Sequence, residues 1–163
     1  MTDHEQVETH EIDAAETMTQ ARPRRVAVSG ASGLIGSAVV ERLQGGGGEV
    51  VRLVRRPPQP AVAEAQWSAE EGLADPARLD GVYGVVHLAG ESIAGGRWTE
   101  QKKRRICDSR VRGTEALCRD LARLNRRPQV LVCASAIGYY GDQGERLLDE
   151  LSPRGEGFLP EVC

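Results

Sequence analysis

Three glycines, Gly30, Gly33 and Gly36, stand between an apolar run, Val26-Ala27-Val28, and an apolar-periodic stretch that begins at Leu34. The spacing is suited to holding a diphosphate. Gly30 lets the chain turn sharply off a strand. Gly33, lacking a Cβ, lets a pyrophosphate approach the backbone. Gly36 lets the following helix pack closely on the strand. Free N–H groups at the start of that helix, at the positive end of its dipole, favour a bound anion. The alternative is a tight strand-to-helix turn with no ligand. About twenty residues further on, where a site for the unphosphorylated dinucleotide often has an Asp or Glu, stand Arg55 and Arg56. Guanidinium groups match a 2′-phosphate in charge and fork geometry, so NADP(H) is favoured over NAD(H). The competing reading is that the arginines only solubilise an exposed loop. Leu88-Ala89-Gly90 closes another apolar run. Small residues there would let a dinucleotide pass close to the backbone, or they mark only a strand-to-loop turn. Ser135 closes the next run, where its hydroxyl could bond a carbonyl or hydroxyl at a reacting carbon, or serve as a plain turn residue.

These groups need a scaffold that brings the ends of several strands together. The pattern predicts a first strand near 24–29 and a helix from about Leu34 with Leu34, Ile35, Ala38, Val39 and Leu43 on its apolar face. A second strand follows at 49–54, and a short third at 66–68 whose Trp67 is a core anchor or an adenine-pocket wall. Asp75-Pro76 reads as an N-cap and first residue of a helical turn. A buried strand at 84–90 precedes a long helix, about 100–125, capped by Thr99. Its expected buried face is Ile106, Cys107, Val111, Thr114, Leu117, Cys118, Leu121 and Leu124. Another buried strand follows at 129–134. Strands that read as continuous apolar runs and alternate with helices predict a parallel sheet covered on both faces. The expected fold is therefore α/β, a Rossmann-type doubly wound sheet, with its ligand across the carboxyl ends of the strands.

Bulk properties narrow the classes. The 163 residues suffice for one domain with a real, mostly aliphatic core, since aromatics make up 4%. No apolar run reaches the length of a membrane span, and the acidic N-terminus is not a secretory signal. Residues 1–21 hold six acidic and no Lys or Arg side chains, which predicts a disordered acidic tail over 1–23 ahead of a mildly basic domain over 24–163. Cys107, Cys118, Cys133 and Cys163 form no Cys-x-x-Cys pair and the three histidines are scattered, so no metal site is expected. Reduced cysteines point to a cytoplasmic protein. The basic run 102–105 lacks aromatic interleaving and reads as a solvated helix face, so no nucleic-acid partner is expected.

The segments Gly30–Gly36, His87–Ala94 with Arg97-Trp98-Thr99, Ser109–Thr114 and Ser135–Gly141 resemble the short-chain dehydrogenase/reductase superfamily in its extended branch. More closely, they are similar to the atypical family of nucleoside-diphosphate-sugar epimerase-like proteins. The likeness runs from about residue 24 to 163. It implies an NADP-binding domain and an epimerase or oxidoreductase working by transient hydride transfer on a small molecule, such as a sugar nucleotide. It would place the dinucleotide on Gly30, Ser32, Gly33, Leu34, Ile35, Gly36, Arg55, Leu88 and Ala89, and match Ser135 to the substrate-orienting serine. The superfamily's Tyr-x-x-x-Lys pair, in which lysine lowers the pKa of the tyrosine acid/base, has no counterpart. Gln143 follows Tyr139 by four residues and Gly144 follows Tyr140. Arg110 stands where many extended members have an active-site Asn. Members of the family continue well beyond this length, so the sheet is expected to be C-terminally truncated, without the substrate domain. That predicts an exposed edge strand, an uncovered apolar face and self-association. A non-catalytic NADP(H)-binding module and an inactive fragment are the alternative readings.

Overall fold

The computed structural model describes residues 23–163; the tail expected over residues 1–23 lies, except for Pro23, outside the described residues. The order is β1 (Arg25–Ser29), α1 (Leu34–Gly45), β2 (Glu49–Val54), β3 (Glu64–Ser68), β4 (Gly72–Leu73), β5 (Gly84–His87), α2 (Glu100–Ala122), β6 (Val130–Cys133) and α3 (Phe158–Val162), with 3₁₀ turns at Pro76–Leu79 and Ile137–Tyr140. The strands form one sheet in the order β4-β3-β2-β1-β5-β6. All neighbours are parallel except the two-residue β4, which reverses beside β3. The chain thus leaves β1 in one direction through β2 and β3, and returns on its other side through β5 and β6. The reversal falls between β1 and β5, where a doubly wound sheet opens its ligand crevice.

Side chains alternate across each strand and so build two cores. Ala27, Val51, Leu53, Ala65, Trp67 and Val85 pack with Leu117, Leu121 and Leu124 under α2. Val26, Val28 and Val50 meet Val40 of α1 on the opposite face. Trp67 is a core residue, with its indole against the α2 face near Gly113. Local signals act as their chemistry dictates. Asp75 accepts from the Ala77 N–H ahead of Pro76, and the Thr99 hydroxyl accepts from Lys102 N–H to cap α2.

Three expectations are corrected. The apolar face of α1 is Gly36 and Val40 with Val39 and Leu43 half-buried, whereas Leu34 and Ile35 are exposed, as is Ala38. Close approach of Gly36 to Gly30 fixes which side of the helix meets the sheet, and the 36/40/43 row follows from it. On α2 the buried row is Ile106, Gly113, Ala116, Leu117 and Leu121, while Val111 and Cys118 are exposed. Both of those lie beside β6, past the covered part of the sheet. β6 itself is an exposed strand, not a buried one, because it forms the edge of the sheet among the described residues. Val130, Leu131 and Val132 are 43%, 38% and 51% exposed, so this edge is apolar and uncovered by the described residues.

Candidate functional site

The carboxyl ends of β1, β2, β5 and β6 carry the glycine turn, Arg55-Arg56, Leu88-Ala89-Gly90 and Ser135 respectively. Parallel pairing puts all four groups on one rim of the sheet. The turn and Leu88-Ala89 flank the reversal between β1 and β5.

At the turn, Gly30 has φ +68°, a left-handed conformation. A Cβ there would also stand 2.9 Å from the backbone of Leu88 and Ala89. Gly33 N–H donates to Gly30 C=O at 3.0 Å, and Ser37 N–H to Gly33 C=O at 2.8 Å. Any Cβ on Gly36 would run into the Gly30 carbonyl. Gly36 is therefore required by helix-to-turn contact. Among the described residues no side chain caps α1, and its first turn holds no acidic residue, which leaves its N-terminal amides open to an anion. Ser32, Leu34 and Ile35 are exposed on this same rim.

The Ser29 hydroxyl joins β1 to β5. Its Oγ accepts from Leu88 N–H and Ala89 N–H, both at 3.1 Å, and lies 2.7 Å from His87 Nδ1. Ser29 and His87 are 0% and 3% exposed. Burial pulls the His87 pKa below the ordinary histidine value.

At the end of β2 the two arginines differ. Arg56 Nη1 and Nη2 donate to Glu64 Oε2 and Oε1 at 2.9 and 2.7 Å. Glu64 also accepts Gln59 N–H at 2.9 Å. Its carboxyl is held below the usual range, first by the Arg56 hydrogen bonds and then by the Gln59 amide. Arg55 is exposed and bonded to no described side chain.

Ser135 is exposed on an open cleft of about 550 Å³ whose lining includes His87, Ala89, Arg110, Thr114 and Cys133. Arg110 lies across Gly90, where a Cβ would come within 3.2 Å of the guanidinium, and donates to Glu91 C=O at 2.9 Å. The Glu91 carboxylate takes Lys102 at 2.8 Å and Arg105 at 3.4 Å. Lys102 above all, and then Arg105, hold it below the usual carboxylate range. The chain's only lysines are Lys102 and Lys103, and the latter pairs with Glu100. Neither lysine is spare to assist a tyrosine. Tyr139 and Tyr140 sit on the 3₁₀ turn after Ser135, fixed by Gly155 N–H to Tyr139 C=O at 3.0 Å. Among the described residues no group of three or more His, Cys, Asp or Glu side chains is placed to hold a metal. No helix of the described residues is long and apolar enough to cross a membrane.

Ser29, His87 and Glu64 support the site from outside its expected contact residues. Two of them were visible as polar residues inside apolar runs: Ser29 after Val26-Ala27-Val28, and His87 within Val85-Val86-His87-Leu88.

The strand order and the glycine turn after β1 define a Rossmann-type α/β domain. The sequence profile of the NAD dependent epimerase/dehydratase family matches residues 26–157, and the chain belongs to that family. The epimerase family protein Mb2239 of Mycobacterium bovis is 41% identical over 138 residues, covering 85% of this chain and 45% of its own. Among solved structures, the nucleoside-diphosphate sugar epimerase of Corynebacterium glutamicum superposes with a TM-score of 0.72 at 37% identity, covering 86% of this chain and 29% of that one. The human epimerase family protein SDR39U1, crystallised with NADPH, gives a TM-score of 0.71 at 29% identity, covering 85% of this chain and 45% of that one. The chain thus spans about half the length of the curated relatives it matches.

Proposed function

We propose that residues 24–163 form the NADP(H)-binding portion of an epimerase- or reductase-like protein that acts by hydride transfer on a sugar nucleotide or another carbonyl substrate. The observation that carries this reading is the alignment on one rim of an uncapped helix start, the Leu88-Ala89 backbone and an exposed Arg55. In it, the α1 amides and Gly30, Gly33 and Gly36 hold the pyrophosphate, with Ser32, Leu34 and Ile35 lining it. Arg55 takes the 2′-phosphate, with Arg56 beside it. Leu88 and Ala89 support the adjoining ribose, and Ser135 orients the reacting carbonyl. NADPH in the human relative's structure supports the phosphorylated cofactor, and the activity in the name of the Corynebacterium protein supports the substrate class. Four free cysteines suit a cytoplasmic setting. Titrating the purified chain with NADPH and NADH, followed by cofactor fluorescence, tests the reading. Tighter binding of NADPH is expected, and failure to bind either dinucleotide would sink it.

A second reading, a non-catalytic dinucleotide-binding module, is favoured by one observation: both lysines are committed to carboxylates on and beside α2. Deuterated NADPH that loses no label to any carbonyl compound or sugar nucleotide would support it.

A further inference from the structure

We infer that His87 is a positioning residue for the dinucleotide: a neutral imidazole with its proton on Nε2, it accepts the Ser29 hydroxyl proton and thereby sets the Leu88-Ala89 backbone against Gly30. The ligand part of this inference rests on the dinucleotide-binding reading above.

Hydrogen-bond counting carries the assignment. A serine hydroxyl has one proton to give and two lone pairs to receive. Ala89 N–H and Leu88 N–H, the latter shared with the Ser29 C=O at 3.3 Å, occupy both lone pairs of Ser29 Oγ. The third neighbour, His87 Nδ1 at 2.7 Å, must therefore receive the hydroxyl proton. An Nδ1 that accepts carries no hydrogen, so a neutral ring keeps its proton on Nε2. Nε2 is buried and has no partner among the described residues, and neither has Trp67 Nε1. The two rings meet edge to face, with centroids 5.3 Å apart. A second proton on His87 would have to sit on Nδ1. Ser29 Oγ would then face three N–H donors with two lone pairs, and its own proton would lose its acceptor. Leu88 N–H must then leave Oγ for the Ser29 C=O, 3.3 Å away, and the hydroxyl no longer sets the Leu88-Ala89 pair. A Cβ on Gly30 would stand 2.9 Å from the Ala89 nitrogen and the Leu88 carbonyl, the peptide that these bonds hold.

Among the described residues no charged group opposes this. On β6, the register partner of His87 is Cys133; on α2, Arg110 and Glu115 line the same cleft. On β1 and β3 its neighbours are Ser29 and Trp67, which do not titrate in this range. None of the charged groups hydrogen-bonds the imidazole. Desolvation alone lowers its pKa, in keeping with a neutral ring at pH 7.

Nitrogen-15 NMR of the labelled 163-residue chain tests the inference. At pH 7.5 the His87 ring is expected to give the Nε2–H pattern, with slow hydrogen exchange at Leu88 and Ala89. As the pH falls through the His87 midpoint, the amide resonances of Leu88 and Ala89 should shift with it while Val51, deep in the sheet, stays protected. NADPH should bind at least tenfold more weakly with the same midpoint. Ser29→Thr should keep the coupling and Ser29→Ala should abolish it. An Nδ1–H tautomer would overturn the inference. So would Leu88 and Ala89 amides that ignore the His87 titration, or that open only together with Val51. Absence of NADPH binding at every pH would defeat the dinucleotide reading but leave the ring and amide signals to decide the role of His87.

Discussion

Arg56 and Glu64 meet through two parallel hydrogen bonds, Nη2 to Oε1 at 2.7 Å and Nη1 to Oε2 at 2.9 Å. That pairing ties the end of β2 to the start of β3 and makes neighbouring arginines unequal. Arg55→Ala is expected to weaken NADPH binding by roughly 10- to 100-fold, the scale of losing a charge-assisted hydrogen bond, and to leave NADH binding nearly unchanged. Arg56→Ala should act mainly on stability. Paired titrations with both dinucleotides, alongside melting curves, check the division of labour.

The same pair sets an acid limit. The Glu64 pKa is lowered from 4.5, chiefly by its Arg56 hydrogen bonds. Its folded state therefore binds fewer protons than the unfolded chain, so its contribution is present above pH 4.5 and is lost as pH falls through the lower folded value. In wild type, Tm should drop over that window. Glu64→Gln should melt lower at neutral pH and show a flatter acid limb, in scans run from pH 3 to 7.

Substituting glycines at three places should give opposite results. Gly30→Ala meets both a left-handed φ of +68° and backbone 2.9 Å away, and Gly36→Ala meets the Gly30 carbonyl. Each is expected to cost about 2–4 kcal/mol in urea denaturation. Gly45→Ala, in the last turn of α1 with nothing within 4 Å, should instead stabilise by about 0.5–1 kcal/mol.

Leu117 and Leu147 separate core from surface. Leu117 is 0% exposed beneath the sheet, and its truncation to Ala should cost about 2–5 kcal/mol. Leu147 is 95% exposed, and the same change should stay within about 0.5 kcal/mol. Denaturant midpoints at constant slope would confirm the contrast.

Much of the fold was legible because local chemistry and long-range packing agree. β2 falls on its apolar run, and Thr99 and Asp75 cap where their side chains predict. Helix faces were harder to read. Leu34 and Ile35 look like core residues by hydropathy, yet a contact between two glycines rotates α1 away from them. β4 was invisible: two residues carry no periodicity, and it exists because Asp120 on α2 receives the Leu73 amide at 2.8 Å. In the site, the turn and the arginines are legible because they are local in sequence. The separation of Arg55 from Arg56 is not, since it depends on Glu64 arriving from the next strand. Likewise Ser29 and His87 are 58 residues apart, and only the parallel pairing of β1 and β5 makes them one unit.

The sheet has unlike edges. On the β3 side the outward carbonyls are occupied, Glu64 C=O by Arg78 and Gln66 C=O by Ala74, and the reversed β4 ends the ladder. On the β6 side, four apolar-rich residues present an unpaired ladder. The described residues therefore make a monovalent strand template. Two copies joined through β6 would use up the open edge of the described residues, and the assembly would terminate as a pair instead of propagating into a fibre. Sedimentation of concentrated protein should reveal a monomer–dimer equilibrium with no larger species, shifted to monomer by Val132→Lys.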